Sequence, residues 1–405
     1  MKYLVMVCKG AADNEIESLG GKTPLEVADI PVMNRLASMG QIGLVATIPD
    51  GVAPGSDAAN LSVMGYDPRI YLTGRSPLEA ASIGIEMSDT DVAFRTNIIT
   101  LSGEGSYEDL IIEDHSSEDI TTAEADELIK AVNQAFSNDK IKFYTGVSYR
   151  HCMIVHDGSD AYQLTPPHDV LSRRAGDHLP KGEGSDFIRD MMKKSYEILN
   201  NHPINVSRRE RGLNPGNSIW IWGQGKKPSL PGFYEKYGIE GAAISAVDLI
   251  KGIAMLAGLE SIDVEGATGT IETNFEGKSA AAIKAFQEGR DFVYIHFEGP
   301  DECAHQGNLA GKIKCLEYID SRGLKPIIEY LENSGDDFRV LIVPDHRTPM
   351  SIRTHSSDPV PYVIYDSTLR LEPDADKQFN ERSGSKGRFF KSGVELADHF
   401  FQKQQ

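Results

Sequence analysis

Short runs rich in Val and Ile recur along this chain, and most end close to a polar or charged residue. They are LVMV near the N-terminus, IGLVATI from Ile42, AAISAV around Ser245, FVYIHF from Phe292, RVLIVP from Arg339 and PYVIY from Pro361. Between them lie stretches with helical spacing, such as PLEVADIPVMNRLASMG, where Val27, Ile30, Met33, Leu36 and Ala37 recur. Buried strands alternating with helices predict an α/β fold, a mostly parallel sheet with helices on both faces. In such sheets the chemistry gathers beyond the carboxyl ends of the strands.

The middle of the chain reads differently. From about residue 85 to about residue 214, charged loops alternate with moderately apolar runs (VAFRTNIITL, KFYTGVSYRHCMIVH, DAYQLTPPHD) and end in the Pro- and Arg-rich HPINVSRRERGLNPGN. This predicts a smaller α+β domain, 85–214, inserted into a discontinuous core domain of 1–84 and 215–405. A length of 405 residues suits two domains. The net charge of −19 argues against nucleic acid as a partner but leaves room for a small phosphorylated metabolite held by a few clustered cations. Four cysteines without a C-x-x-C pair suit reduced thiols. No apolar run approaches the ~20 residues of a membrane span, so the expectation is a cytoplasmic protein with no membrane partner; oligomeric state is not readable.

Three clusters at strand ends could carry chemistry. VLIVPDHRTP places Asp345 and His346 just after an apolar run, and His355 follows nine residues later. FVYIHFEGPDECAH ends another run and sets Asp301 and His305 four apart, one face of a helical turn. Mixed carboxylate and imidazole ligands suit a divalent cation. In IPDGVAPGSDAANLSVMGYDP, Ser56 and Asp57 precede a predicted helix from Ala58 to Met64. Ser56 is there either an N-cap or a nucleophile at the positive end of a helix, and spacing does not decide between them.

The segments GSDAANLSVMGYDP, YLTGRSPLEAASIG, VAFRTN, GVSYRH, SIWIWGQGKKPSLPGFYEKYG, EGATGTIETNFEGK, GPDECAHQG and PDHRTP…THSSDPVP occur in that order. Together they resemble the archaeal-type branch of the 2,3-bisphosphoglycerate-independent phosphoglycerate mutases, in the alkaline phosphatase superfamily. The PPHD and NPGNSIWIWGQG stretches also resemble bacterial relatives proposed as homoserine kinases. The resemblance implies a phosphoglycerate mutase that passes through a phosphoserine at Ser56. It implies Asp301, His305 and His355 as ligands of one metal, and Asp345, His346 and Ser56 as ligands of another. The metal would be Mn2+, with Zn2+, Co2+ or Mg2+ as alternatives, in one or two ions. The inserted domain would bind substrate. Arg75, Arg95, Arg150, His151 and His168 are candidate substrate ligands, and Lys278 a candidate catalytic cation. A homoserine kinase-like phosphotransferase, or a diverged homologue with weakened mutase activity, is the alternative.

The chain departs from that family at two places. Its first strand ends in Lys9-Gly10, where the family carries Asp-Gly and uses the Asp as a ligand of the second metal. In IIEDHSSEDIT, His115 and Asp119 stand where relatives have a Tyr-containing stretch. Three readings of Lys9 follow. Its ammonium replaces the second metal, or mutase activity is lost or diverted, or Lys9 turns to solvent and both metals bind.

Overall fold

A computed structural model describes residues 1–369 and 371–401. The described residues form thirteen strands. They are β1 (Lys2–Cys8), β2 (Gln41–Val45), β3 (Val92–Ser102), β4 (Ile111–Asp114), β5 (Ile141–Tyr144), β6 (Arg150–Val155) and β7 (Ser218–Lys226), then β8 (Gly241–Ile244), β9 (Glu260–Ile262), β10 (Phe292–Phe297), β11 (Phe338–Val343), β12 (Val360–Asp366) and β13 (Arg388–Phe390). Four helices matter for the site: α1 (Ser56–Val63), α2 (Ser76–Ser82), α3 (Phe275–Gln287) and α4 (Gly299–His305).

The chain divides into two units, Met1–Leu72 with Leu230–Gln405, and Thr73–Ser229. The first holds an eight-stranded sheet in the order β13-β2-β12-β11-β1-β10-β8-β9. Only the β11–β12 and β12–β2 pairs are antiparallel, so the predicted mostly parallel sheet is present. Alternation of side chains along each strand divides the core. Leu4, Met6 and Cys8 join Val293, Ile295, Val340 and Ile342 on one face, where Ala282 and Phe286 of α3 cover them. On the other face Tyr294 reaches Asn60 of α1, and Tyr3 packs on Phe400 of the helix Gly393–Phe400. Helices therefore lie on both faces.

The helical stretch read over PLEVADIPVMNRLASMG is two helices, Pro24–Val27 and Pro31–Ser38. Pro31 lacks the N–H that would continue the first helix and starts the second instead. The second unit is wider than the expected 85–214. Strand β7, which lies beyond the expected boundary at 214, pairs antiparallel with β3, and α2 ties to it through Ser76 Oγ and the Gly223 carbonyl. This unit is a five-stranded antiparallel sheet, β4-β3-β6-β5 with β7 also on β3, over its own core that includes Phe94, Ile98, Leu128, Met153 and Trp220. All four cysteines are buried and free. Among the described residues no helix is long and apolar enough to cross a membrane.

Candidate active site

Strand β1 lies between β10 and β11, both parallel to it, so three strand tips end side by side. Lys9 follows β1 and continues its ladder, its N–H donating to the Phe297 carbonyl at 2.8 Å. Gly10 then turns the chain with φ 63°, which glycine adopts without strain. Beyond β10, α4 carries Asp301 and His305 on one face, and beyond β11 come Asp345 and His346. The sheet order thus gathers residues that are far apart in sequence.

Asp301 is the hub. Its Oδ2 lies 2.7 Å from Lys9 Nζ and 3.2 Å from His305 Nε2. Its Oδ1 accepts from Thr348 Oγ1 at 2.5 Å and lies 3.4 Å from His355 Nε2. Burial would raise this carboxyl, but the His305 and His355 hydrogen bonds and the Lys9 charge overcome it and hold it well below the usual carboxylate range. His305 is raised by its hydrogen bond to Asp301, and its Nδ1 faces the Arg353 carbonyl at 2.9 Å. Its Nε2 is 3.2 Å from His355 Nε2. Burial lowers His346 to about 4, leaving it neutral at pH 7. Ligand atoms of Asp301, His346 and His355 all lie within 4.8 Å of one another. One carboxylate oxygen and two imidazole nitrogens that close together could hold a divalent transition ion, so the residues fit such a group.

Ser56 is the first residue of α1, and Gly55 is the N-cap. Its hydroxyl is therefore not spent on capping; Oγ lies 3.1 Å from His346 Nε2. Asn60, one turn on, donates to the Ser56 carbonyl at 2.7 Å and to Asp345 Oδ2 at 3.1 Å, and accepts from Tyr294 OH. Asp345 Oδ1 accepts from the Gly10 and His346 amides at 3.1 and 2.8 Å. Asn60 and Thr348 were not among the candidates read from sequence, because their role is to hold other side chains across long sequence separations.

Lys278 does not join this group. It is fully buried on α3, donates to the His296 carbonyl at 2.9 Å, lies 3.7 Å from Glu298 Oε2 and packs against the Phe297 ring. Burial lowers its pKa. The apolar stripe of α3 takes Lys278 inward with it. Burial would raise Glu298, but a hydrogen bond from His296 and the charge of Lys278 bring it to about 2.

In the second unit the remaining candidates split between the two sheet faces. Glu79 bridges Arg75 and Arg95, at 3.3 and 3.0 Å. The Arg95 guanidinium lies 4.4 Å from the Trp222 ring centre, and burial, opposed by Glu79, lowers its pKa. His168 packs on the same Trp222, and His115 stands between His168 and Tyr149. Arg150 is exposed beside Tyr149. Arg75, Arg95, Arg150 and His168 thus contribute to one electropositive region; Arg75 and Arg150 act on Arg95, and Arg95 and Arg75 on His168. His151 does not belong there. Alternation along β6 turns it inward, where its Nδ1 accepts from the Gly146 amide and burial lowers it to about 3. Asp119 is exposed, the last of three residues in left-handed backbone, Ser117, Glu118 and Asp119.

Residues 37–205 match the family of 2,3-bisphosphoglycerate-independent phosphoglycerate mutases. The mutase of that name from Methanosarcina barkeri is 46% identical over 388 residues, 96% of this chain and 96% of that protein. A probable mutase of the same kind from Geobacter sulfurreducens is 46% identical over 398 residues, 98% of this chain and 99% of its own. Among solved structures, a Pyrococcus horikoshii protein aligns with a TM-score of 0.81 at 28% identity, over 100% of this chain and 98% of that one. The cofactor-independent phosphoglycerate mutase from Thermoplasma acidophilum aligns with a TM-score of 0.68 at 26% identity, over 100% of both chains. Relatives this similar over nearly the whole length settle the ancestry: the chain belongs to the 2,3-bisphosphoglycerate-independent phosphoglycerate mutase family of enzymes.

Proposed function

We propose that this chain interconverts 3- and 2-phosphoglycerate through a phosphoserine at Ser56, with a divalent metal ion, Mn2+ before Zn2+, Co2+ or Mg2+. The observation that carries this reading is the Ser56 hydroxyl, free of capping and 3.1 Å from His346 Nε2. Ser56 Oγ forms the bond to phosphorus as the bond to O3 of the substrate breaks. The proton lost by Ser56 is balanced by one gained at O3 of the bound glycerate. The glycerate then turns, its O2 forms the bond to phosphorus as the bond to Ser56 Oγ breaks, and the proton lost by the 2-hydroxyl is balanced by one gained at Ser56 Oγ.

The chain's own residues do most of this work. The first turn of α1 presents backbone N–H groups and a positive dipole end, which favour an anionic phosphoryl group on Ser56. Asn60 fixes Ser56 relative to Asp345 through its two donated hydrogen bonds. Asp301, His346 and His355 would hold the metal, with His305 and Asp345 beside them. When bound, the ion lowers the pKa of the serine hydroxyl and offsets charge on the phosphoryl group. Arg75, Arg95, Arg150 and His168 bind the carboxylate and phosphate of the substrate.

The test is phosphorus NMR of Mn2+-loaded protein with 3-phosphoglycerate, beside a second reaction with homoserine and a phosphoryl donor. The expected result is 2-phosphoglycerate, lost in Ser56→Ala, with acid-stable phosphate on Ser56 found by mass spectrometry. Phosphohomoserine without 2-phosphoglycerate would overturn the reading in favour of a kinase-like activity. No mutase flux in the wild type, restored by Lys9→Asp, would identify a diverged homologue.

A further inference from the structure

We propose that this site takes a single divalent ion, because the Lys9 ammonium already occupies the place of a second cation. The inference rests on the metal-dependent reading above and goes beyond it. Lys9 does not turn to solvent. Its side chain is 13% exposed, and its Nζ lies 2.7 Å from Asp301 Oδ2, the carboxylate at the centre of the ligand cluster. Asp345 and Glu298 also act on this ammonium.

The remaining donors are enough for one ion. Among the described residues one group of three metal-ligating side chains converges, Asp301, His346 and His355. A second centre would have to be built on Asp345, whose oxygens are engaged by three protein donors: the Gly10 and His346 amides on Oδ1, and Asn60 Nδ2 on Oδ2. Of the groups around it, Ser56 and His346 add no negative charge, and Asp301 already belongs to the converging group.

Charge leads to the same count. The buried carboxylate of Asp301 pairs with Lys9, those of Asp345 and Glu298 act on it through charge, and Lys278 lies 3.7 Å from Glu298 Oε2. With both lysines charged, one divalent ion leaves a single excess positive charge, which a bound phosphate neutralises. Two ions would leave three excess positive charges in a space screened poorly by water.

The experiment counts metal rather than turnover. Chelator-stripped protein is reloaded with Mn2+, dialysed and analysed by inductively coupled plasma mass spectrometry, with affinity measured by calorimetry. One ion per chain is expected for the wild type and two for Lys9→Asp, which exchanges the ammonium for a ligand. Lys9→Gln removes the charge without adding a carboxylate; at least tenfold tighter binding of the first ion is expected, with thermal unfolding recorded as the folding control. Two ions on the wild type, one on a folded Lys9→Asp, or unchanged affinity in Lys9→Gln would each overturn the inference while leaving the metal-dependent reading intact. No ion on the wild type would refute both.

Discussion

Replacing Asn60 by leucine tests whether the nucleophile is held by the network described here. Asn60 is fully buried and makes three contacts at once: it donates to the Ser56 carbonyl and to Asp345 Oδ2, and it accepts from Tyr294 OH. Leucine is close in volume, so no large cavity opens. Two buried groups lose partners. Stranding the Tyr294 hydroxyl costs roughly 1–3 kcal/mol, and removing one of the donors to the Asp345 carboxylate costs roughly 1.5–3 kcal/mol. After partial relaxation a loss of about 3 kcal/mol is expected, read by urea unfolding in chelator, which keeps metal binding out of the comparison. Tyr294→Phe alone should cost about 1–2 kcal/mol, since it strands only the Asn60 carbonyl oxygen. In the double variant the stranded hydroxyl is gone, so the two costs should fall short of their sum by about 1–2 kcal/mol. In the mutase assay Asn60→Leu should lose roughly tenfold or more in kcat through misplacement of Ser56, and Tyr294→Phe far less. Additivity of the single variants within about 0.5 kcal/mol, or wild-type kcat in Asn60→Leu, would refute the reasoning.

Two further outcomes follow from other positions. A methyl group on Gly10 would lie 2.6 Å from Thr348 Oγ1 and 2.8 Å from Asp301 Cα, at a φ of 63°, so Gly10→Ala should destabilise by about 2–4 kcal/mol in urea unfolding; a loss below about 1 kcal/mol would contradict the close approach. His151, held near 3 by burial against about 6.5 when unfolded, stays neutral in the native state while the unfolded chain binds a proton. Stability should therefore fall as pH drops from about 6.5 towards 3, by about 2 kcal/mol at pH 5, and His151→Gln should flatten that slope; equal slopes would show that His151 is reached by solvent.

The sheet was legible because doubly buried strands leave runs such as FVYIHF and RVLIVP, which few other structures require. Asp301, His305, Asp345 and His346 were legible as a consequence, since each follows such a run. Ser56 remained ambiguous until the backbone put Gly55 at the cap and freed the hydroxyl. Lys278 and His151 stand beside functional motifs, yet the periodicity of their elements turns both inward. Phe275, Ser279, Ala282 and Phe286 mark a buried helical stripe that includes Lys278. His151 alternates with Met153 and Val155, both in the core of the second unit. Asn60 and Thr348 carry no local signal at all. Tyr294, which donates to Asn60, is 234 residues away, and a contact of that kind exists only once the sheet order is known.

Neighbouring strands lie about 4.8 Å apart, so side chains leaving adjacent tips meet at ion-pair range without help from their loops. At this rim, positions 9 and 10 are constrained in opposite ways. Gly10 sets the route of the chain, since any side chain there would strike Asp301 and Thr348. Lys9 has its main chain pinned to Phe297, while its side chain meets its neighbours chiefly through charge. A single substitution at position 9 can therefore alter the electrical balance of the pocket while strand register, turn and surrounding ligands stay where they are. Charge at this rim is thus adjustable at position 9, while Gly10 next door keeps the geometry fixed.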